Sequence, residues 1–140
     1  MDDDVDRIMA IMDRAFDPVW GEAWNRRQIM DSMMMPNIHY NLLAGRGFTL
    51  VRAAPGEEEL LLVAVDPNAR GQGVGRRLVE RAAQDARGRG ADAMYLEMRA
   101  NNPAERLYRA MGFEPIGRRT DYYRGPGSSR IDAISFRLTL

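Results

Sequence analysis

Apolar residues recur at Val5, Ile8, Met9, Met12 and Phe16, spacing that predicts an amphipathic helix ended by Asp17-Pro18. A second helix is predicted from about Glu22 to Met34, stopped by Pro36. Its Met30, Met33 and Met34 share a face, either as gap-filling core or as an adaptable lip over a substrate. Two short strands follow, Ile38 to Ala44 and Phe48 to Ala53, joined by a turn at Gly45-Arg46-Gly47. After Pro55-Gly56-Glu57, the run Leu60 to Val65 is apolar on both faces, as a central strand covered by helices should be. A long helix from Gly73 to Arg87 carries Val74, Leu78, Val79, Ala82 and Ala86 on one stripe and stops at Gly88-Arg89-Gly90. A strand from Ala93 to Met98 comes next, then a helix opened by Asn102-Pro103 and closed by Gly112. Phe113 to Tyr123 and Ile131 to Leu138 form a last pair of strands around Gly125-Pro126-Gly127. The predicted architecture is one α/β domain over residues 1–140, a mixed sheet with helices on both faces.

Composition narrows the chemistry. The 140 residues include no cysteine and a single histidine, which excludes a disulfide scaffold, a thiol nucleophile and a His-rich metal centre. No metal site is expected, and His39 reads as a strand or turn residue. Twenty basic residues, all arginine, balance twenty acidic ones, so no global charge points to nucleic acid or membrane. Arg76, Arg77, Arg81, Arg87 and Arg89 cluster on a helix, where a solvated face is the expected reading. No apolar run is long enough to span a bilayer, and Met1-Asp2-Asp3-Asp4 lacks the basic start of a secretory leader, which suggests a cytoplasmic protein.

The most informative stretch is Val63-Ala64-Val65-Asp66-Pro67-Asn68-Ala69-Arg70-Gly71-Gln72-Gly73-Val74-Gly75, which runs strand, glycine turn, helix. Glycines let backbone N–H groups converge on an anion, and the helix N-terminus adds unpaired donors and partial positive charge. Arg70 and Arg76 stand where they can add charge, so a phosphate or pyrophosphate ligand is expected. A Walker loop would require Gly-Lys-Ser/Thr, whereas Gly75 precedes Arg76-Arg77. A dinucleotide fingerprint fails too, because its last glycine falls on Arg76 or Leu78.

Two further residues carry candidate chemistry. Along the strand after the loop helix, Tyr95, Glu97 and Arg99 face opposite to Met94, Leu96 and Met98. A carboxylate on a buried strand is costly unless it meets a polar cleft or an ion-pair partner, so Glu97 is either a general base or half of a structural pair with an arginine. Tyr108 stands in a second distinctive segment, Leu107-Tyr108-Arg109-Ala110-Met111-Gly112-Phe113, and read by itself it is a core tyrosine with a satisfied hydroxyl.

The pattern Arg70-x-x-Gly73-x-Gly75 resembles the coenzyme-A pyrophosphate loop of the GNAT superfamily of N-acetyltransferases, and Leu107-Tyr108 through Gly112-Phe113 resembles its Leu-Tyr-x-x-x-Gly-Phe segment. The resemblance implies acetyl-CoA as cosubstrate. It would be held by the strand end Val63, Ala64 and Val65, the loop Arg70, Gly71, Gln72, Gly73, Val74, Gly75 and Arg76, and Asn102 and Tyr108. Backbone N–H groups near Val65 would polarise the thioester carbonyl. Within the superfamily the chain is similar to bacterial ribosomal-protein alanine N-acetyltransferases, well from residue 60 to 135 and loosely before. Leu96-Glu97-Met98-Arg99-Ala100-Asn101-Asn102 and Arg118-Arg119-Thr120-Asp121-Tyr122-Tyr123 carry that likeness. It implies a proton acceptor at Glu97, a proton donor at Tyr108, peptide contacts at Tyr122 and Tyr123, and a small-subunit ribosomal protein as acceptor. Lysine side chains or a small amine remain alternative acceptors, and a silent acyl-CoA-binding module is the reading outside enzymes. The chain departs from the pattern twice. A first strand before the first helix is truncated or missing, and the Arg99–Tyr108 segment is one residue short, a shortening best placed in the loop before Pro103.

Overall fold

A computed structural model describes residues 2–140. Helix α1 (Asp2–Ala15) buries Val5, Ile8, Ile11 and Met12, close to the stripe read from the sequence. A single 3-10 turn at Pro18–Trp20 and an irregular stretch follow, so helix α2 starts only at Arg26 and runs Arg26–Met33, later than the Glu22 start expected. Asn25 sets that start. Its side chain accepts from the Gln28 N–H while Gln28 Oε1 accepts from the Asn25 N–H, both at 2.8 Å, a reciprocal capping box. The methionine face divides. Met33 packs against the core, whereas Met30 and Met34 are exposed, so the three form neither a filled core nor a cleft wall.

Strands β1 (Ile38–Leu43), β2 (Gly47–Ala54), β3 (Glu57–Val65), β4 (Ala93–Arg99), β5 (Glu114–Arg124) and β6 (Arg130–Thr139) make one sheet in the order β1-β2-β3-β4-β6-β5. Helix α1 begins at the first described residue. Only β3 and β4 pair in parallel; every other neighbouring pair is antiparallel, giving a mostly antiparallel mixed sheet. Helix α3 (Val74–Gly88) covers one face and α1 with α2 the other. Helix α4 (Glu105–Ala110) is a short turn-and-a-half.

A bulge in β3 shapes everything downstream. Leu50 pairs with Leu62 and Val51 with Leu60, which leaves Leu61 as an extra residue. The insertion flips the alternation of faces. Leu60 joins the core with Val79 and Ala82 of α3, whereas Leu62 and Ala64 join Val5, Ile8 and Met12 of α1. Parallel pairing with β4 is confined to Glu57–Glu59 against Ala93–Tyr95, and beyond it the two strands splay.

Near the turn into β2, Gly47 lies where no side chain fits. A Cβ there would stand 2.7 Å from the Ala64 carbonyl oxygen and 2.8 Å from Leu78 Cδ1, so glycine allows β2, β3 and α3 to meet. At the other end, Arg89 donates to both carboxylate oxygens of Glu58 at 2.9 and 2.7 Å, and Glu58 is 2% exposed. Arg89 therefore leaves the solvated arginine face expected for it and clamps the end of α3 to β3, while Arg76 and Arg81 do pair along the exposed helix with Glu80 and Asp85.

Candidate active site

The splay between β3 and β4 opens a cleft on the edge of β3 that lacks a strand partner after Glu59. Two cavities occupy it. The larger, about 640 Å³, runs from the glycine loop past the end of β3 to α4 and is lined by Val63, Ala64, Val65, Arg70, Gly71 and Gly75 at one end. The smaller, about 290 Å³, opens between Leu61, Trp24, Glu97, Tyr122 and Tyr123. They share five lining residues: Phe16, Glu22, Val63, Asn102 and Tyr108. A molecule in one reaches a molecule in the other at that neck.

At the glycine loop, Gly71 and Gly73 have φ of +78° and +76°, and a Cβ on either would meet nothing within 4 Å. Their requirement is conformational, and the space above them is open. Gly73 caps α3 without a side-chain bond, and the first turn of α3 holds no acidic residue. The first-turn N–H groups are thus free for an anion. Not every residue expected in the loop lines the cleft. Val74 is buried against Ala69 and Leu78, Gln72 turns its amide to the Asn68 carbonyl, Gly73 serves as the cap, and Arg76 pairs with Glu80 at 2.7 Å. Arg70 lines the larger cavity, yet its guanidinium donates to the Ala15 carbonyl oxygen at 2.8 Å, at the C-terminal end of α1.

Glu97 lies on β4 with one face toward the smaller cavity. Its Oε2 accepts from Ser135 Oγ at 3.2 Å and pairs with Arg119 at 3.3 Å. Glu97 thus has an arginine partner and also faces a cleft. Tyr108 lies on α4 at the neck, with its ring edge-on to Phe113 at 5.5 Å. Burial first, and the charge of Glu22 second, push its hydroxyl well above the ordinary tyrosine range. Tyr123, half-buried beside Glu97 and Glu22, is pushed up to about 12, mainly by burial. Tyr122 is exposed, edge-on to Tyr123 and under the Arg119 guanidinium.

Asn102 holds a different local role from the cap expected. Its Oδ1 accepts from the Ala104 N–H at 2.9 Å, an Asx turn, and α4 begins only at Glu105 behind Ala104, which makes no side-chain cap bond. Sequence reasoning missed Glu22 altogether. It lies in the irregular stretch before α2, lines both cavities, and pairs with Arg99 at 3.2 Å. Arg99 in turn lies 4.2 Å over the Trp20 ring. No periodicity or motif marks Glu22; only the late start of α2, legible in Asn25-x-x-Gln28, could have shown that it belongs to a loop over the cleft.

The sequence pattern of the Acetyltransferase (GNAT) family matches residues 5–113. The chain belongs to that family. As a GNAT acetyltransferase it uses acetyl-CoA as cosubstrate. It is 37% identical over 129 residues to the N-alpha-acetyltransferase RimI of Mycobacterium tuberculosis, covering 85% of this chain and 77% of that protein. It is 35% identical over 94 residues to the ribosomal protein bS18-alanine N-acetyltransferase of Escherichia coli K12, covering 66% of this chain and 63% of that protein. The crystal structure of the ribosomal-protein-S18-alanine N-acetyltransferase from Escherichia coli superposes with a TM-score of 0.84 at 27% identity, covering 99% of this chain and 89% of that one.

The GNAT cleft fits the cosubstrate on observations of this chain alone. The loop offers open space over two left-handed glycines and the unpaired N–H groups of a helix of 15 residues, which suits a pyrophosphate. The larger cavity continues along the unpaired edge of β3 to Tyr108, a path for the long pantetheine arm. Among the described residues no group of three side chains converges as a metal site, and no helix is long and apolar enough to cross a membrane.

Proposed function

We propose that this GNAT acetyltransferase modifies the N-terminal alanine amine of a small-subunit ribosomal protein, by direct attack of the amine on the thioester. The setting of that reaction is the cytoplasm, where such proteins are made. Acetyl-CoA supplies an already activated acyl group, so the chain needs no nucleophile of its own. In this reading the glycine loop and the end of β3 hold the cosubstrate, Glu97 accepts the proton of the incoming amine, and Tyr108 keeps a proton on its hydroxyl for the departing thiolate. Tyr122 and Tyr123 flank the peptide.

The observation that carries the reading is the neck. The two cavities meet at Tyr108 and Val63, with Glu97 on the acceptor side, so one residue of each protonation role lies along the same path. Glu97 Oε1 has no hydrogen-bond partner among the described residues, because Ser135 and Arg119 both engage Oε2. The relatives support the choice of an N-terminal amine, since those reported above carry that activity in their names. Acid–base chemistry favours it as well. An α-amine near pKa ~8 is roughly a tenth neutral at pH 7, whereas a lysine near ~10.4 is neutral in well under a thousandth of molecules. A single carboxylate suits the first better.

The test is acetylation of a peptide with a free N-terminal alanine followed by basic residues, against a peptide with a blocked N-terminus and an internal lysine. Mass spectrometry should locate acetyl on the alanine amine alone, and Glu97→Gln should lower kcat roughly a hundredfold to ten-thousandfold. Acetyl on the internal lysine, or on neither peptide, would refute the assignment of acceptor.

A further inference from the structure

The smaller cavity has a charge pattern that the roles above do not use. Among the described residues its acidic lining side chains are Glu97 from β4 and Glu22 from the stretch before α2, and no arginine lines it, although Arg99 lines the adjoining larger cavity. Each carboxylate is held from outside the cavity by one arginine through one oxygen. Arg119 engages Glu97 Oε2 at 3.3 Å, and Arg99 engages Glu22 Oε1 at 3.2 Å. Among the described residues, Glu97 Oε1 and Glu22 Oε2 are both left without a hydrogen bond. Glu22 is also well shielded, with its side chain 16% exposed. Two carboxylates that are held but not saturated, Glu22 at the neck and Glu97 in the smaller cavity beside it, suit a cationic occupant.

An N-terminal amine arrives at neutral pH mostly as an ammonium, with three donors in a tetrahedral array. One carboxylate can satisfy one of those donors; a second on the opposite lip can hold the group while the first removes a proton. Glu22 lines both cavities at the neck, where Tyr108 also stands, so it lies against the proposed reacting region.

From this geometry we infer that Glu22 binds the acceptor: its free oxygen accepts a hydrogen bond from the incoming ammonium and orients it between Glu22 and Glu97. The inference rests on the amine-acetylating reading above and assigns it a binding group on the opposite lip from the proposed base. A rival account makes Glu22 a strap anchor alone, tying the Trp20–Asn25 stretch to β4 through Arg99.

Two variants separate these accounts. Glu22→Gln keeps shape and can still bond Arg99 through its amide oxygen but loses the charge. Arg99→Gln breaks the ion pair but keeps the Glu22 carboxylate. Steady-state kinetics on the alanine peptide, with thermal denaturation and the KM for acetyl-CoA as controls, should show a rise in peptide KM of roughly tenfold to a hundredfold for Glu22→Gln, with kcat changed less than about threefold. Arg99→Gln should not reproduce that rise. An equal rise in both variants, an unchanged peptide KM in Glu22→Gln, or a loss confined to kcat would overturn the inference. A Tm drop in Glu22→Gln of more than about 5 °C would likewise overturn it in favour of the anchor. No acetylation by the unmodified protein would instead sink the reading beneath it, a result distinct from all of these.

Discussion

Tyr108 offers the sharpest separation of catalytic from structural roles, because its hydroxyl and its ring do different things. The ring is buried and packs edge-on to Phe113 in the main core. The hydroxyl, by contrast, makes no hydrogen bond to the protein among the described residues. Tyr108→Phe keeps the ring, the packing and the volume and removes one atom that the fold does not use. Its cost to stability should be within about 0.5 kcal/mol, and a small gain is equally consistent, since an unpartnered hydroxyl in a desolvated site is itself unfavourable. For a chain of this length that is a Tm change of about 2 °C or less. If the hydroxyl supplies a proton, kcat should fall roughly a hundredfold to ten-thousandfold, with the KM for acetyl-CoA nearly unchanged. The assay is thiol release under saturating acetyl-CoA, read beside a melting curve on the same preparation. A kcat within threefold of the parent would refute the proton-donor role. A Tm loss of many degrees would refute the claim that the hydroxyl is idle in the fold.

Two further predictions concern the scaffold. Arg89→Ala should leave Glu58 buried without its partner and cost about 3 kcal/mol, seen as a shift of the urea midpoint with unchanged slope; a shift under 0.5 kcal/mol would show that Glu58 finds water or another donor. The tyrosines set an alkaline limit. Tyr108 and Tyr123 have raised pKa values in the fold, so their contribution to stability is full below the unfolded value near 10 and is lost as pH rises through the folded values, about 12 for Tyr123. Melting temperature should therefore fall above pH 10, and less steeply in Tyr123→Phe; identical slopes in the two proteins would contradict the assigned cause.

Much of this architecture was legible because the chain punctuates itself. Asp-Pro and glycine turns mark most element ends, and the two-faced apolar run at Leu60–Val65 identifies a central strand without any partner in view. The glycine loop was legible for a related reason: a left-handed turn feeding a helix needs glycine, and few ligands suit the donors it frees. What periodicity cannot show is a register fault. The extra residue Leu61 leaves the run apolar on both faces, yet it flips β3 between two cores and coincides with its separation from β4. The cleft exists because of that separation, and no residue type in the run announces it.

The acceptor side was hidden for a different reason. Residues 17–25 have neither helical nor strand period, and they are held by contacts distant in sequence: Glu22 to Arg99 on β4, and Trp20 against Arg99. Trp20 also reaches the turn between β5 and β6, where a Cβ on Gly125 would lie 3.4 Å from its ring. Two lips from distant parts of the chain thus meet over the end of β4, and in the proposed reading the residues that meet the amine are those whose placement depends on that meeting. In the proposed reading, cosubstrate binding rests on a local strand–turn–helix unit that can be read from a dozen consecutive residues. In the same reading acceptor choice is assembled from three separate segments, which would let one fold keep its cosubstrate while its acceptors diverge.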